Sequence, residues 1–541
     1  MIPRLLLLGL LGVALVPAIG VEPAFWSLGR DEELGLSYHH VELVREDAGA
    51  PSLRWSHPDS RVDVATDSIR AIGEGDITLS VWVWLDSAEP AGGDLIHAAD
   101  DRGNGLSLAI VTRGGATSSL AADRQLIASL HDDAREVFWT DRGRPGRSIL
   151  VHSLAVHGGH LYAGVCQPGP SERGEVFEYH EPAGWKSIGS PDGSNDVTSL
   201  ATFAGALYAG TGKYRLAGSS LAESANAERG GRVYRREADG RWQVMGELPE
   251  ADAVGGMVVY RDRLLVSSLY QPARLYSLDR MGSWQPQPLP EAGRRLESMT
   301  VHAGHLYATS YDNAHVYRFD GTTWEDLGSV GDNTQTYGFA SYRGRLHVST
   351  WPSGRVFRWD NDHDWADTGR LGEELEVMGL AVHRGRLWGG TLPLADVYSF
   401  RENTPWLKSG NVDATPDVKY RRAWTMAVHA GELFVGTLPS GRVWSTSVGQ
   451  SVSWDEPFPQ KSWHCLVVRR QGSEWSLYVD GKRIGRAVTR PGRQVSLGQV
   501  TQFSLGQGDH YPFQGKMRDL RVIPQALDES AIAELSRPKA P

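Results

Sequence analysis

At 541 residues the chain exceeds what one hydrophobic core supports, and it predicts two or three domains. Its 55 Lys and Arg stand against 65 Asp and Glu, a net charge of −10 with no basic block, which argues against nucleic acid or an anionic membrane as partner. With 62 Gly, 19 Trp and only scattered helical periodicity, the composition favours an all-β chain rich in turns.

Residues 1–20 read as a secretory signal peptide: Arg4, an apolar run over 5–16, then Ala18-Ile19-Gly20 at the cleavage end. The run is too short to span a bilayer, and no later segment is long enough. A secreted or periplasmic protein with no membrane insertion is the expectation. The two cysteines, Cys166 and Cys465, fall in different predicted domains and are expected as separate buried thiols, although export would permit a disulfide.

Leu53-Arg54-Trp55, the run Ile77 to Trp84, Gly105 to Ala109 and Leu126 to Leu130 read as strands. A repeat follows. A tryptophan precedes the start of an apolar segment by thirteen residues in the pairs Trp139/His152, Trp185/Thr198, Trp242/Gly255, Trp284/Glu297, Trp324/Tyr337 and Trp365/Met378, and by eighteen in Trp406/Trp424. A second landmark, a Gly- or Asp-containing turn followed by Leu, recurs at Leu161, Leu207, Leu264, Leu306, Leu346, Leu387 and Leu433. Such self-similarity marks a β-propeller of four-stranded blades, here seven over residues 134–447. The last unit lacks its outer strand, so Val137-Phe138-Trp139 is expected to supply it and close the ring. The blade tryptophans are expected to be buried between sheets; for Trp324→Ala that implies a loss of roughly 3–5 kcal/mol.

Residues 448–541 contain Ser462 to Val468, Leu477 to Lys482, Phe503 to Gly506 and Phe513 to Val522, then a short helix capped by Asp528 with Ile532 and Leu535 on one face. Their order resembles the second half of a laminin-G-like, concanavalin A-like jelly roll, and residues 36–133 look like the first half. Neither half buries both faces of a sandwich alone, so the resemblance implies one split domain with the propeller inserted in it. The ring in turn resembles the kelch and sialidase-like group in its strand rhythm, as in Val316-Tyr317-Arg318-Phe319-Asp320-Gly321-Thr322-Thr323-Trp324. It departs from sialidases: in Ser277-Leu278-Asp279-Arg280-Met281-Gly282-Ser283-Trp284, Met281 stands where their Asp box has Gly, and no Arg-Ile-Pro motif is found near the first blade.

Loops entering the inner strands, and those between second and third strands, crowd one end of a propeller channel. His152, Glu297 and Tyr337 are the candidate proton-moving groups. Arg294, Arg421, Asn333, Gln335, Tyr311, Trp351 and Trp424 are the candidate ligand contacts, with Arg295, Arg422, Tyr214, Arg215 and Tyr270 nearby. Arginines that pair with carboxylate or sulfate and aromatic faces that stack on a ring suit a poly- or oligosaccharide, acidic ones included. No metal site is expected. Asp360-Asn361-Asp362-His363-Asp364 alternates oxygens like a calcium loop but lacks the following Gly and the distal Glu, so no cofactor is expected and calcium is the one candidate. Three readings stay open: an exported carbohydrate-recognition protein, a polysaccharide-active hydrolase or lyase with its active site at the channel mouth, and a protein-interaction scaffold.

Overall fold

The computed structural model describes residues 23–28, 35–45, 51–86, 92–112, 124–132, 137–361, 363–446, 450–489 and 493–538. The expected signal peptide, both domain boundaries drawn from the sequence and Asp362 lie outside these residues.

The repeat forms a ring of antiparallel sheets. In the sheet that begins with Leu296–His302, the order continues outward through His305–Ser310, His315–Phe319 and Trp324–Ser329. The inner strand is buried along nearly its whole length between neighbouring sheets, whereas the outer one is half-exposed. Its sequence, Leu-Glu-Ser-Met-Thr-Val-His, reads as a near-continuous apolar and small run rather than a clean alternation for that reason. Successive inner strands pack side by side, and Arg422–His429 packs against Leu150–His157, so the series closes on itself. Counted as separate four-stranded sheets, the ring has five rather than the expected seven. Strands from Leu150–His157 through Gly184–Ser187 and from Asp196–Phe203 through Trp242–Glu247 belong to one eight-stranded sheet, joined by the single residue pair Cys166/Asp196.

The sheet built on Arg422–His429 takes its outer strand from far upstream: Trp139–Asp141 pairs with Val443–Thr446. The pairing segment therefore starts at Trp139, two residues later than Val137. Phe138 is exposed.

The recurring Leu landmark follows two-residue hairpins whose central residues both have positive φ, as at Ala303-Gly304 and Arg343-Gly344. Positive φ at both positions is the type I′ turn, whose twist matches that of the flanking strands. The recurring Trp has a different task. Its indole N–H donates to a carbonyl of the preceding sheet: Trp185 to Arg142 (3.0 Å), Trp284 to Glu247 (3.1 Å), Trp324 to Pro288 (2.9 Å) and Trp365 to Leu327 (3.3 Å). Trp139 repeats the contact on Ser409 at 3.0 Å, where Gly410 leaves room: a Cβ there would lie 2.2 Å from the indole nitrogen. Most of these indoles are half-buried rather than enclosed.

The remaining strands form two facing sheets. Ile77–Trp84 pairs with Trp463–Gln471 on one side and Gly515–Ile523 on the other. Gln125–His131 pairs with Ser451–Trp454, and Gly93–Ala99 with Gln502–Leu505. Each sheet thus draws on both flanks of the ring. Leu79, Val81, Leu108, Leu466, Leu477 and Phe503 fill the space between them. The Glu529–Leu535 helix, with Asp528 accepting from Ala531 N at 2.8 Å, buries Ile532 against the outer face. Cys166 and Cys465 are both buried and free.

The sandwich docks on the hairpin tips at the far ends of the inner strands. Arg343 N and Gly344 N donate to the carbonyls of Asp509 and His510 (3.1 and 2.7 Å), and Ala430 N to Asp455 Oδ2 (2.7 Å). Behind these tips Asp509 sits 3.4 Å from both His97 and His131 in full burial. The opposite end of the channel is left to the loops entering the inner strands.

Candidate functional site at the channel mouth

Every inner strand loses register with its neighbour near its start. The shifts fall at His152, Thr198, Gly255-Gly256, Glu297-Ser298, Tyr337-Gly338, Met378-Gly379 and Trp424. A bulge re-aims the side chain it carries, and a small neighbour gives it room. In three sheets a hydroxyl on the second strand takes up the displaced amide: Gly256 N donates to Ser267 Oγ, Ser298 N to Thr309 Oγ1 and Gly338 N to Ser349 Oγ, each at 2.9 Å.

Above the bulges lies a cavity of about 410 Å³. Its walls come from several sheets: Tyr214, Tyr270, Tyr311, Tyr337 and Trp424 supply rings, while Arg215, Arg295, Gln335, Glu376 and Arg422 supply polar groups. Leu216, Leu221 and Met378 belong to the same apolar cluster as the rings. The segment 213–231 roofs it. That segment separates Ala206–Gly212 from Arg232–Arg236, whereas 352–354 suffice between Arg345–Trp351 and Arg355–Asn361. Glu223 holds its short Leu216–Ser219 turn by accepting from Leu216 N (3.2 Å) and Ala217 N (2.8 Å), and Ser219 Oγ meets Tyr214 Oη at 2.8 Å.

The electrostatics follow from burial. Arg422 donates to Ser219 Oγ at 2.9 Å and faces Glu376 at 3.5 Å. Burial works against the Arg422 charge, yet Glu376, Tyr214 and Tyr337 outweigh it and hold the guanidinium above its ordinary pKa. Burial raises the Glu376 carboxyl, against the pull of Arg422 and Tyr337. Tyr337 Oη donates to Gln335 Oε1 (2.5 Å) and Glu376 Oε2 (3.2 Å). Desolvation pushes Tyr214 up to about 12 and lifts Tyr270, Tyr311 and Tyr337 well above the usual phenol range, so all four are neutral donors. Glu297 is fully buried; burial pushes it up to about 8, with Tyr311 and Arg295 opposing and Glu376 adding. Neither of its oxygens finds a well-aligned hydrogen-bond partner. His152, also fully buried, has Nδ1 2.7 Å from Asp196 Oδ2 and meets Tyr214 and Trp424 edge-on.

Of the residues singled out in the sequence, Tyr311, Gln335, Tyr337 and Trp424 line the cavity, and Trp351 belongs to the same cluster. Glu297 and His152 lie behind the wall. The others are held elsewhere. Arg294 pairs with Glu291 and donates to the Asp312 carbonyl (2.9 Å), Asn333 ties Val330 to Ser353, and Arg421 is outside the lining. The calcium-like turn gives up Asp360 to Arg345 (2.7 Å) and Arg358 (2.6 Å). Sequence reasoning missed Glu376, Asp196, Ser219 and the roof. The first two sit two positions before a bulge, the place occupied in other sheets by Arg295, Gln335 and Arg422, so a second ring of variable residues was there to be read. The length of 213–231 was the signal for the roof.

Residues 406–533 match the Laminin_G_3 family model, the concanavalin A-like lectin/glucanases superfamily. The match begins inside the ring, since Leu407–Asn411 through Val443–Thr446 pair within its sheets. No curated protein matches the chain. Among solved structures, a streptogramin B lyase is 10% identical over 57% of this chain and 97% of its own, with a TM-score of 0.46. A virginiamycin B lyase from Staphylococcus aureus is 10% identical over 59% and 99%, also at 0.46. The extracellular domain of a hybrid two-component system from B. thetaiotaomicron is 15% identical over 57% and 39%, at 0.42. The chain thus combines a propeller arrangement of sheets with a concanavalin A-like domain.

Proposed function

We propose that the chain is an exported carbohydrate-recognition protein whose ligand enters the cavity at the channel mouth. The carrying observation is the convergence, from different sheets, of neutral phenols, an indole, Gln335 and Arg422 on one aromatic-walled cavity. That mixture stacks on a sugar face and donates to its hydroxyls. The concanavalin A-like match fits the same ligand class. In this reading the joined eight-stranded sheet counts as two blades of a seven-bladed ring inserted between the halves of one sandwich, and the apolar run over residues 5–16 directs export.

The arginines at the mouth already have carboxylate partners: Arg215 faces Asp252 (3.2 Å), Arg295 faces Asp312 (2.8 Å) and Arg422 faces Glu376 (3.5 Å). A hydroxyl-rich neutral saccharide is therefore favoured over a uronate there. A glycan array probed with the full chain tests the reading: retention of a defined set of neutral glycans supports it, and retention of none overturns it.

A second reading, a polysaccharide hydrolase or lyase, draws on one observation. Glu297, held protonated near neutral pH, lies behind a wall that carries Tyr337 and Glu376. Release of reducing ends or unsaturated products from a retained glycan would establish it.

A further inference from the structure

The walls of the mouth cavity form a collar. Tyr214 and Trp424 meet edge-on with ring centroids 5.8 Å apart, and so span the inner strand Leu150–His157, none of whose residues lines the cavity. The Arg422 guanidinium lies 5.5 Å over the Trp424 ring and faces Glu376 at 3.5 Å. Glu376 accepts from Tyr337 at 3.2 Å, and Tyr337 meets Tyr311 edge-on at 5.4 Å. These last three links, Arg422 to Glu376 to Tyr337 to Tyr311, each cross from one sheet to the next. On the other flank Arg215, the chain neighbour of Tyr214, lies 4.3 Å over the Tyr270 ring. The collar therefore runs from Tyr270 round to Tyr311, and among the described residues no ring contact or hydrogen bond joins those two.

Burial marks the same gap. Tyr214, Trp424, Arg422, Glu376 and Tyr337 are buried, whereas Tyr270 and Tyr311 are half-buried, as are their neighbours Arg295 and Gln335. Ser219, bound to Arg422 at 2.9 Å, closes the roof over the deep side, and His152 and Glu297 are fully buried at the bulges beneath. A polymer lying across a site needs a way in and a way out. This cavity has a single opening, on the side of Tyr270 and Tyr311.

We propose that the mouth takes the end of a saccharide chain, its terminal unit against Trp424 and Tyr337, and not an internal stretch; the inference rests on the carbohydrate reading above. A volume of about 410 Å³ is near the lower end for small-molecule sites and holds about one or two sugar units. Units beyond these stand in solvent, where they add little to affinity. An internal stretch would behave differently, because a longer chain offers it more registers.

The probes are cello-, chito-, malto- and manno-oligosaccharides, each as chains of two, four and six units, titrated calorimetrically into the full chain. Affinity within a series that binds should level off at two units. Partial hydrolysis of the parent polysaccharide multiplies its ends, and should raise the amount of protein bound per gram. Tyr337→Phe, which removes the phenol at the deep end, should weaken the two-unit and six-unit chains by the same factor, about tenfold. Borohydride reduction of the four-unit chain opens its reducing-end ring: lost binding assigns that end to the cavity, and retained binding assigns the other. Affinity that keeps climbing from two to six units, or capacity per gram unchanged by hydrolysis, would overturn end-on binding and leave the carbohydrate reading in place. Binding of none of the four series would overturn both.

Discussion

Ser219 and Arg422 stand 203 positions apart in the chain, and the Arg422 guanidinium donates to the Ser219 hydroxyl at 2.9 Å across the channel mouth. The contact joins the segment roofing the cavity to an inner strand of another sheet. It is one arm of a chain of polar contacts running from Tyr214 through Ser219 and Arg422 to Glu376 and Tyr337. The roof is therefore held by a buried charge rather than by apolar packing alone.

Ser219→Ala removes that arm and leaves a nearly buried guanidinium N–H without its hydroxyl. A loss of about 1–3 kcal/mol is expected, as for a buried donor left unsatisfied. Urea unfolding measures it, and limited proteolysis within residues 213–231 should become faster.

Glu297 supplies a pH signature. Its folded pKa of about 8 lies above the ordinary carboxyl value of 4.5, so the folded state holds the proton more tightly than the unfolded chain. The stabilisation this gives is full below pH 4.5 and is lost as pH rises to about 8. Glu297→Gln cannot ionise. Relative to the variant, the wild-type protein should lose stability steadily across that window and level off above it. Unfolding curves of both proteins at several pH values check the slope.

Ring closure rests on Trp139–Asp141. A fragment of residues 134–447 retains this strand, while one beginning at residue 146 exposes the edge of Val443–Thr446. The longer fragment should stay monomeric in sedimentation and the shorter one should aggregate, as open sheet edges do. Equal behaviour would mean that the closing strand contributes nothing.

Two tryptophans separate burial from bridging. Trp388, 1% exposed with its indole donating to the His383 carbonyl at 2.9 Å, should cost roughly 3–5 kcal/mol as Trp388→Ala. Trp324 is half-exposed, stacks on Phe319 at 4.8 Å and holds one carbonyl, so Trp324→Ala should cost about 1–3 kcal/mol, below the loss expected for a fully buried indole. Chemical denaturation of both variants gives the comparison.

The periodic signals were legible because they report local geometry. The Trp and Leu landmarks mark the indole bridge and the type I′ hairpin, which recur wherever a sheet meets its neighbour. The joining of two strand sets through Cys166 and Asp196 was not legible, since one residue pair leaves no pattern. At the mouth, the spacing of the repeat places Tyr337 and Trp424 at the starts of their inner strands, where the bulges fall. Glu376 was missed because whether a position two residues earlier faces the cavity depends on where the bulge falls. The side-chain period of a strand places Arg422, and not Arg421, on the same side as Trp424.

The most direct measurement is the affinity of one array-selected neutral glycan for the full chain and for two mouth variants, Tyr270→Ala and Gln335→Ala. Both side chains are half-buried, so the melting temperature of each variant is read alongside the affinity to separate lost contact with the glycan from lost stability. Each should weaken binding by about tenfold, the value of one stacking or hydrogen-bonding contact. Wild-type affinity in both variants would contradict the assignment of the ligand to the channel mouth.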